Sequence, residues 1–338
     1  MVTIKIDKKQ TKVGLVELVT LKNDVIELTL TSYGAAIYQW LVEGHPIHMG
    51  PKNLDQFLTD ELYYGKTVGR TAGRLWSPGY QLHQKFVAIE PNHGDAKLHG
   101  GPTGFSFRHF SVKQMNYNNN EVTCSFVYFS KHQEEGYPGN LELTVTYTLN
   151  RYNEVKIQYD GISDKDTLCN LTNHIYFNLS KKNETLSDHM LKVNSDSLLD
   201  VDENVRIKGQ MNVHHTPYDF RTEKMLGPVL NELKKTPLIG LDHTYLLSDS
   251  KNCVTLKEPT FDYVMTCSTT YPAVVIYTHN QPSRKPLERI HHDGFHSCIT
   301  LEFMYEPGGI HHTDLHSAIL KKHEPYHHEI LFKFDKIA

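Results

Sequence analysis

The sequence predicts an all-β protein, one large antiparallel β-sandwich with a few short helices. Three observations carry this. Alternation of period two recurs from end to end, helical signals are few and short, and no Ser/Gly linker, charge block or internal repeat divides the 338 residues. Residues 1–338 are therefore expected to form a single domain.

The clearest strand is Leu141-Glu-Leu-Thr-Val-Thr-Tyr-Thr-Leu149, where every second residue is apolar and Glu or Thr fills the gaps. Val155, Ile157 and Tyr159 continue the pattern after Asn150-Arg-Tyr-Asn153, so the two runs read as a hairpin with those four residues as its loop. Val122, Cys124, Phe126 and Tyr128 form another strand behind the turn cluster Asn118-Asn119-Asn120, and Ile26, Leu28 and Leu30 another near the start. The continuous apolar run Ala273-Val-Val-Ile-Tyr277 suits a strand buried on both faces. Helices are expected only at 53–60 and 222–233, the second interrupted by Gly227-Pro228.

Composition removes several function classes. With 39% hydrophobic and 22% charged residues the chain is neither disordered nor fibrous. A net charge of −4 is the wrong sign for a nucleic-acid binder. No run approaches the roughly 18 apolar residues of a membrane span, and the N-terminus lacks a signal-peptide core. No membrane attachment is expected, and the expected location is cytoplasmic. Cys124, Cys169, Cys253, Cys267 and Cys298 are odd in number and form no CxxC, which suits reduced, buried thiols. Histidine is abundant, with pairs at 214–215, 291–292, 311–312 and 327–328. No HExxH is present, no Cys stands at finger spacing, and His312 and His316 follow the turn Pro307-Gly308-Gly309, so no metal site is expected.

Two segments carry candidate chemistry. In Asn170-Leu-Thr-Asn-His-Ile-Tyr-Phe-Asn-Leu179, read as a strand, Leu171, Ile175, Phe177 and Leu179 share one face, with Asn173 as the exception. Asn170, Thr172, His174, Tyr176 and Asn178 share the other. An uncharged row of donors and acceptors with one aromatic ring suits either a cleft for a polyhydroxylated ligand or a satisfied buried polar row. In Ser297-Cys-Ile-Thr-Leu-Glu-Phe-Met304, the face of Thr300, Glu302 and Met304 carries a lone carboxylate. Read from the residues alone, Glu302 is either a solvent-facing edge-strand residue or a partly buried base. Glu306 is a rival placed at a turn. Leu98-His-Gly-Gly101, the paired arginines of Thr67–Leu75 and Asp242 behind Gly240 each also fit an ordinary turn or loop.

Taken in order, seven pieces resemble the aldose 1-epimerase (galactose mutarotase) family. They are Gly69-Arg-Thr-Ala-Gly-Arg74, Leu98-His-Gly-Gly101, Glu135-Gly-Tyr-Pro-Gly139, the His174 segment 170–179, Tyr218-Asp-Phe-Arg221, Leu241-Asp-His243, and Ile299-Thr-Leu-Glu302 followed by Pro307-Gly308. The resemblance implies a galactose mutarotase-like supersandwich with a small-molecule sugar in an open cleft, no cofactor, and a monomer or homodimer. It also implies roles: His174 as general acid, Glu302 as general base, Arg74 and His99 as sugar binders (His99 also as an auxiliary acid), and Asp242 as acceptor of a sugar hydroxyl. Tyr176, on the His174 face, is expected to contact the sugar. The implied reaction interconverts the α and β anomers of a free hexose by ring opening and reclosure.

Three positions depart from the common family pattern. Gly73 stands where many members have Asn, and Val275 and Met304 where many have Gln. They leave open which sugar is preferred. A hexose-6-phosphate 1-epimerase would need a basic cluster for the phosphate. A non-catalytic sugar-binding or sensor protein would not need both His174 and Glu302. A glycoside hydrolase using Asp242 and Glu302 would leave the His174 segment without a role.

Overall fold

The computed structural model describes residues 2–182, 185–282 and 294–337, so the His291–His292 pair lies outside the described residues. Strands dominate, as the alternation requires, and are joined in three principal antiparallel sheets. A five-stranded sheet takes the N-terminal strands in chain order, from Thr3–Thr11 to His45–Pro46. A nine-stranded sheet has Leu141–Asn150, Glu154–Ser163 and Pro325–Lys336 near its middle. A six-stranded sheet runs Tyr176–Phe177, Ile299–Met304, Ala273–Tyr277, Asp242–Leu246, Ser197–Val201, Ile207–Asn212.

The apolar face of each sheet points into one continuous core. Trp40 shows how the sheets meet. Its ring, from the five-stranded sheet, packs against Phe177 of the six-stranded sheet at 5.8 Å, and against Phe332 and Phe334 of the nine-stranded sheet at 5.5 and 5.6 Å. Among the described residues, no helix is long and apolar enough to cross a membrane.

The expected hairpin forms with Leu149 opposite Val155. Its loop is shorter than expected: Asn150 stays in the strand, paired with Glu121 of the next strand, and only Arg151, Tyr152 and Asn153 turn. The first expected helix spans Leu54–Thr59, capped by the Asn53 side chain, which accepts from the Gln56 N–H. The second begins later than expected, at Leu226. Gly227-Pro228 therefore falls in its first turn, where proline's missing N–H has no intrahelical acceptor to lose.

The largest local departure is the His174 segment, which is not one strand. Thr172–Asn173 pairs with Thr67–Val68, and Tyr176–Phe177 pairs with Ile299–Thr300. The chain changes partner at His174, whose N–H donates to the Lys66 carbonyl and whose carbonyl accepts from Gly65. The apolar face survives the change, because Leu171, Ile175, Phe177 and Leu179 all reach the core. The amide nitrogen of the exception, Asn173, is satisfied there, donating to the Gly65 carbonyl and the Tyr147 hydroxyl.

Candidate active site

Strand register sets the floor of the site. Glu302 lies opposite Val275, and Val275 opposite Thr244. Thr300 lies opposite Tyr277, and Tyr277 opposite Asp242. The opposite faces of these strands carry Leu301, Phe303, Val274, Ile276 and Tyr245 into the core. Glu302 is thus in the interior of a sheet, not on an edge strand, and is only 3% exposed. Its rival Glu306 pairs instead with His316 at 3.0 Å and does not line the cavity.

Above this floor lies a cavity of about 590 Å³, within the range usual for small-molecule sites. Arg74, His99, His174, Tyr176, Asp242 and Glu302, all expected from the sequence, line it together. Arg74 opens the strand Arg74–Trp76, paired with Ala96–Leu98, so Arg74 and His99 emerge side by side. The Arg74 guanidinium stands 3.7 Å from the Asp242 carboxylate. His99 Nδ1 accepts from the Gly73 N–H at 3.2 Å, which leaves the ring proton on Nε2.

His174 Nε2 and Glu302 Oε1 are 3.4 Å apart, and both side chains are buried. Burial pushes the Glu302 carboxyl up to about 8, while the Thr300 hydroxyl, which donates to Oε1 at 3.1 Å, pulls it partly back. Burial pushes the His174 imidazole down to about 3. Burial thus pushes each group toward its neutral form, the carboxyl up and the imidazole down. Burial also drives His99 well down and Asp242 up, the latter opposed by Arg74.

The polar row divides between its two readings. Asn170 does not face the cleft: its amide donates to the Tyr305 carbonyl and accepts from the Tyr305 N–H, tying the segment to the end of the Glu302 strand. Asn178 donates to the Ser297 carbonyl. The row is therefore structural at its ends, and only His174 and Tyr176 reach the cavity. Tyr176 offers its ring, because its hydroxyl donates to the Leu62 carbonyl at 2.9 Å.

Other lining residues were not legible from the pattern. Tyr63 packs edge-on against His99 at 4.7 Å and lies 5.9 Å from His174. It comes from a loop, in the left-handed region at φ 59°, uncommon for a bulky side chain. Trp76 and Tyr277 complete an aromatic rim. The rarity of tryptophan was the one available signal for Trp76.

Two further motif residues hold the loops beside the cavity in place. Arg70, buried, donates to the carbonyls of Ser130, Pro138 and Gly139 and so clamps the Glu135–Gly139 loop. From that loop Glu135 accepts from the Thr103 N–H and from buried Lys97, fixing the loop that carries His99. Gly100 belongs to that loop at φ 83°, and a Cβ there would meet the Gly69 carbonyl oxygen at 1.9 Å.

The three departures also have places. At Gly73, φ is 71° and a Cβ would stand 2.4 Å from the Pro307 Cβ, so the ring of Pro307 fills the space a side chain would enter. Val275 and Met304 line the cavity and pack with Val68 and Ala72 as a small apolar cluster.

The possible ligand atoms of His99, His174 and Glu302 lie within 4.8 Å of one another, a spacing compatible with a cation. Ligation through His99 Nε2 would move its proton to Nδ1, against the Gly73 N–H that Nδ1 accepts. The trio fits proton exchange better.

The fold and site thus define a class: a β-supersandwich protein with a buried imidazole–carboxyl pair in a cavity lined by polar and aromatic side chains. The sequence model described as aldose 1-epimerase matches residues 17–333, and the chain belongs to the aldose 1-epimerase family. It is 32% identical over 336 residues to an aldose 1-epimerase of Haemophilus influenzae, covering 94% of this chain and 95% of that one. It is 31% identical to the galactose mutarotase of Bos taurus, covering 95% and 94%. The galactose 1-epimerase structure from Lactobacillus acidophilus superposes with a TM-score of 0.89 at 26% identity, covering both chains in full.

Proposed function

We propose that this protein is a mutarotase for a free aldose, with His174 and Glu302 as its proton-exchanging pair. The observation that carries this reading is their 3.4 Å separation inside the cavity. A cyclic aldose is a hemiacetal. Its ring opens when the C1 hydroxyl loses a proton and the ring oxygen gains one. Glu302 takes the first proton and His174 supplies the second. Rotation about C1–C2 exposes the other carbonyl face, and closure with the roles reversed gives the other anomer. Arg74, Asp242 and the Nε2–H of His99 hold the remaining hydroxyls, and the rings of Tyr176 and Tyr63 pack beside them.

The single proton of the pair explains how a raised carboxyl and a lowered imidazole still act as base and acid. The bound sugar donates at one end and accepts at the other, so it favours the arrangement with carboxylate and imidazolium. Below about 8 the pair retains its proton; above it the proton is lost and with it the acid. We expect kcat/KM to be flat through neutral pH and to fall on the alkaline side, near pH 8. A rate that climbs steadily through pH 9, after subtraction of the spontaneous reaction, contradicts this.

The cavity favours a neutral sugar. Among the described residues, Arg74 is the one Lys or Arg side chain lining it, and it faces Asp242; Glu61 and Glu302 line it as well. A phosphate would meet more carboxyls than cations. The relatives include a maltose epimerase of Levilactobacillus brevis, 27% identical over 320 residues, so maltose belongs in the panel beside glucose and galactose. The test is anomer-resolved NMR exchange over these sugars and hexose 6-phosphates. Accelerated exchange of a free sugar supports the reading. Exchange confined to the phosphates contradicts it. The five cysteines are buried and none forms a disulfide among the described residues, which is consistent with action in a reducing cytoplasm.

A further inference from the structure

We infer that Thr300 is a positioning residue for the base: it fixes which oxygen of Glu302 takes the proton and tilts the shared proton toward His174. Thr300 and Glu302 are two apart on the strand Ile299–Met304 and so share a face. Thr300 is fully buried and does not line the cavity, so it acts on the sugar only through Glu302. Its hydroxyl donates to Glu302 Oε1 at 3.1 Å, and His174 Nε2 approaches the same oxygen at 3.4 Å. No hydrogen bond from the described residues reaches Oε2. Oε1 is thereby held by two neighbours, and Oε2 is left to the cavity as the oxygen that meets the C1 hydroxyl.

The position of Thr300 is itself fixed. Its backbone lies between Tyr176 and Tyr277 in the sheet, so its hydroxyl cannot follow a rotating carboxylate. The groups facing Glu302 are Thr300 on its own strand, His174, Tyr176 and His99 on one side, and Asp242 and Arg74 across the floor. Among the causes that shift Glu302, Thr300 and Arg74 favour the charged carboxylate, and Thr300 has the larger effect. Without its hydroxyl the proton stays more on Glu302, the productive arrangement becomes rarer, and the carboxylate loses its fixed rotation.

This inference rests on the proposed roles of His174 and Glu302. Its test compares Thr300→Val, which keeps shape and β-branching, with Thr300→Ser, which keeps the hydroxyl. Wild type must first accelerate anomer exchange; if it does not, the functional reading fails and not this one. In Thr300→Val we expect kcat to fall roughly 10- to 100-fold, the usual worth of a hydrogen bond to a charged group, with KM little changed. We also expect the alkaline limb of the pH profile to move to higher pH, a shift that loss of packing alone would not produce. Thr300→Ser should restore both. The inference is overturned if Thr300→Val keeps the wild-type kcat and limb, or if its loss of rate comes with an unmoved limb and is not rescued by Ser.

Discussion

Glu302→Gln is expected to lower kcat by about 10²–10⁴-fold while leaving the fold intact, and His174→Asn to do the same. Gln keeps the length of the side chain and can still accept from Thr300, but its amide cannot take a proton. Asn keeps a hydrogen-bonding group near the ring oxygen without the capacity to deliver one. In the proposed mechanism the pair, 3.4 Å apart, exchanges one proton, so the two losses should not multiply. The double variant should be scarcely slower than the worse single one, because neither group has a function once its partner is gone. Polarimetry of fresh α-glucose or α-galactose, with the spontaneous rate subtracted, measures all three. Losses that multiply would mean the two side chains act independently.

Arg70→Met is expected to have the largest effect on stability, although Arg70 does not line the cavity. Its guanidinium donates to four buried or part-buried carbonyls, from Ser130, Lys131, Pro138 and Gly139, and to the hydroxyls of Ser130 and Thr167. A buried acceptor left without its donor costs about 1–3 kcal/mol. Several lost together amount to a large part of the roughly 5–15 kcal/mol that holds a domain folded. Methionine fills much of the volume and none of the hydrogen bonds. A fall in Tm on the order of 10 °C, or failure to accumulate as folded protein, is the expected result by thermal denaturation. Arg70→Lys should recover only part, since one ammonium cannot reach all the acceptors a planar guanidinium spans. An unchanged Tm in Arg70→Met would contradict the clamp.

How much of this was legible in the sequence depended on the range of the cause. The hairpin of Leu141–Asn150 with Glu154–Ser163 is local, and alternation displays it directly. The failure of the His174 segment to form one strand is not local. It arises because Gly65–Val68 and Ile299–Thr300 compete for consecutive parts of it, and neither partner is near in sequence. Its polar face therefore looked uniform, although Asn170 and Asn178 bind backbone and only His174 and Tyr176 reach the cavity. Glu302 posed the same problem. Edge and interior strands look alike as a string of residues, and only the pairing with Ala273–Tyr277 and Tyr176–Phe177 distinguishes them. Tyr63 left no periodic trace, since it enters the site from a loop. The family resemblance brought together Arg74, His99, His174, Asp242 and Glu302, which line one cavity. It included Arg70 and Glu135 among its pieces but gave them no role, and they hold the loops on which that cavity depends.

The central claim is that the proton shared by His174 and Glu302 drives anomer exchange. Magnetisation exchange between the α and β H1 signals of a free aldose, recorded with wild type and with Glu302→Gln under identical conditions, tests it most directly. Rapid exchange with wild type and the buffer rate with Glu302→Gln is the predicted result. Equal exchange with both proteins would contradict it.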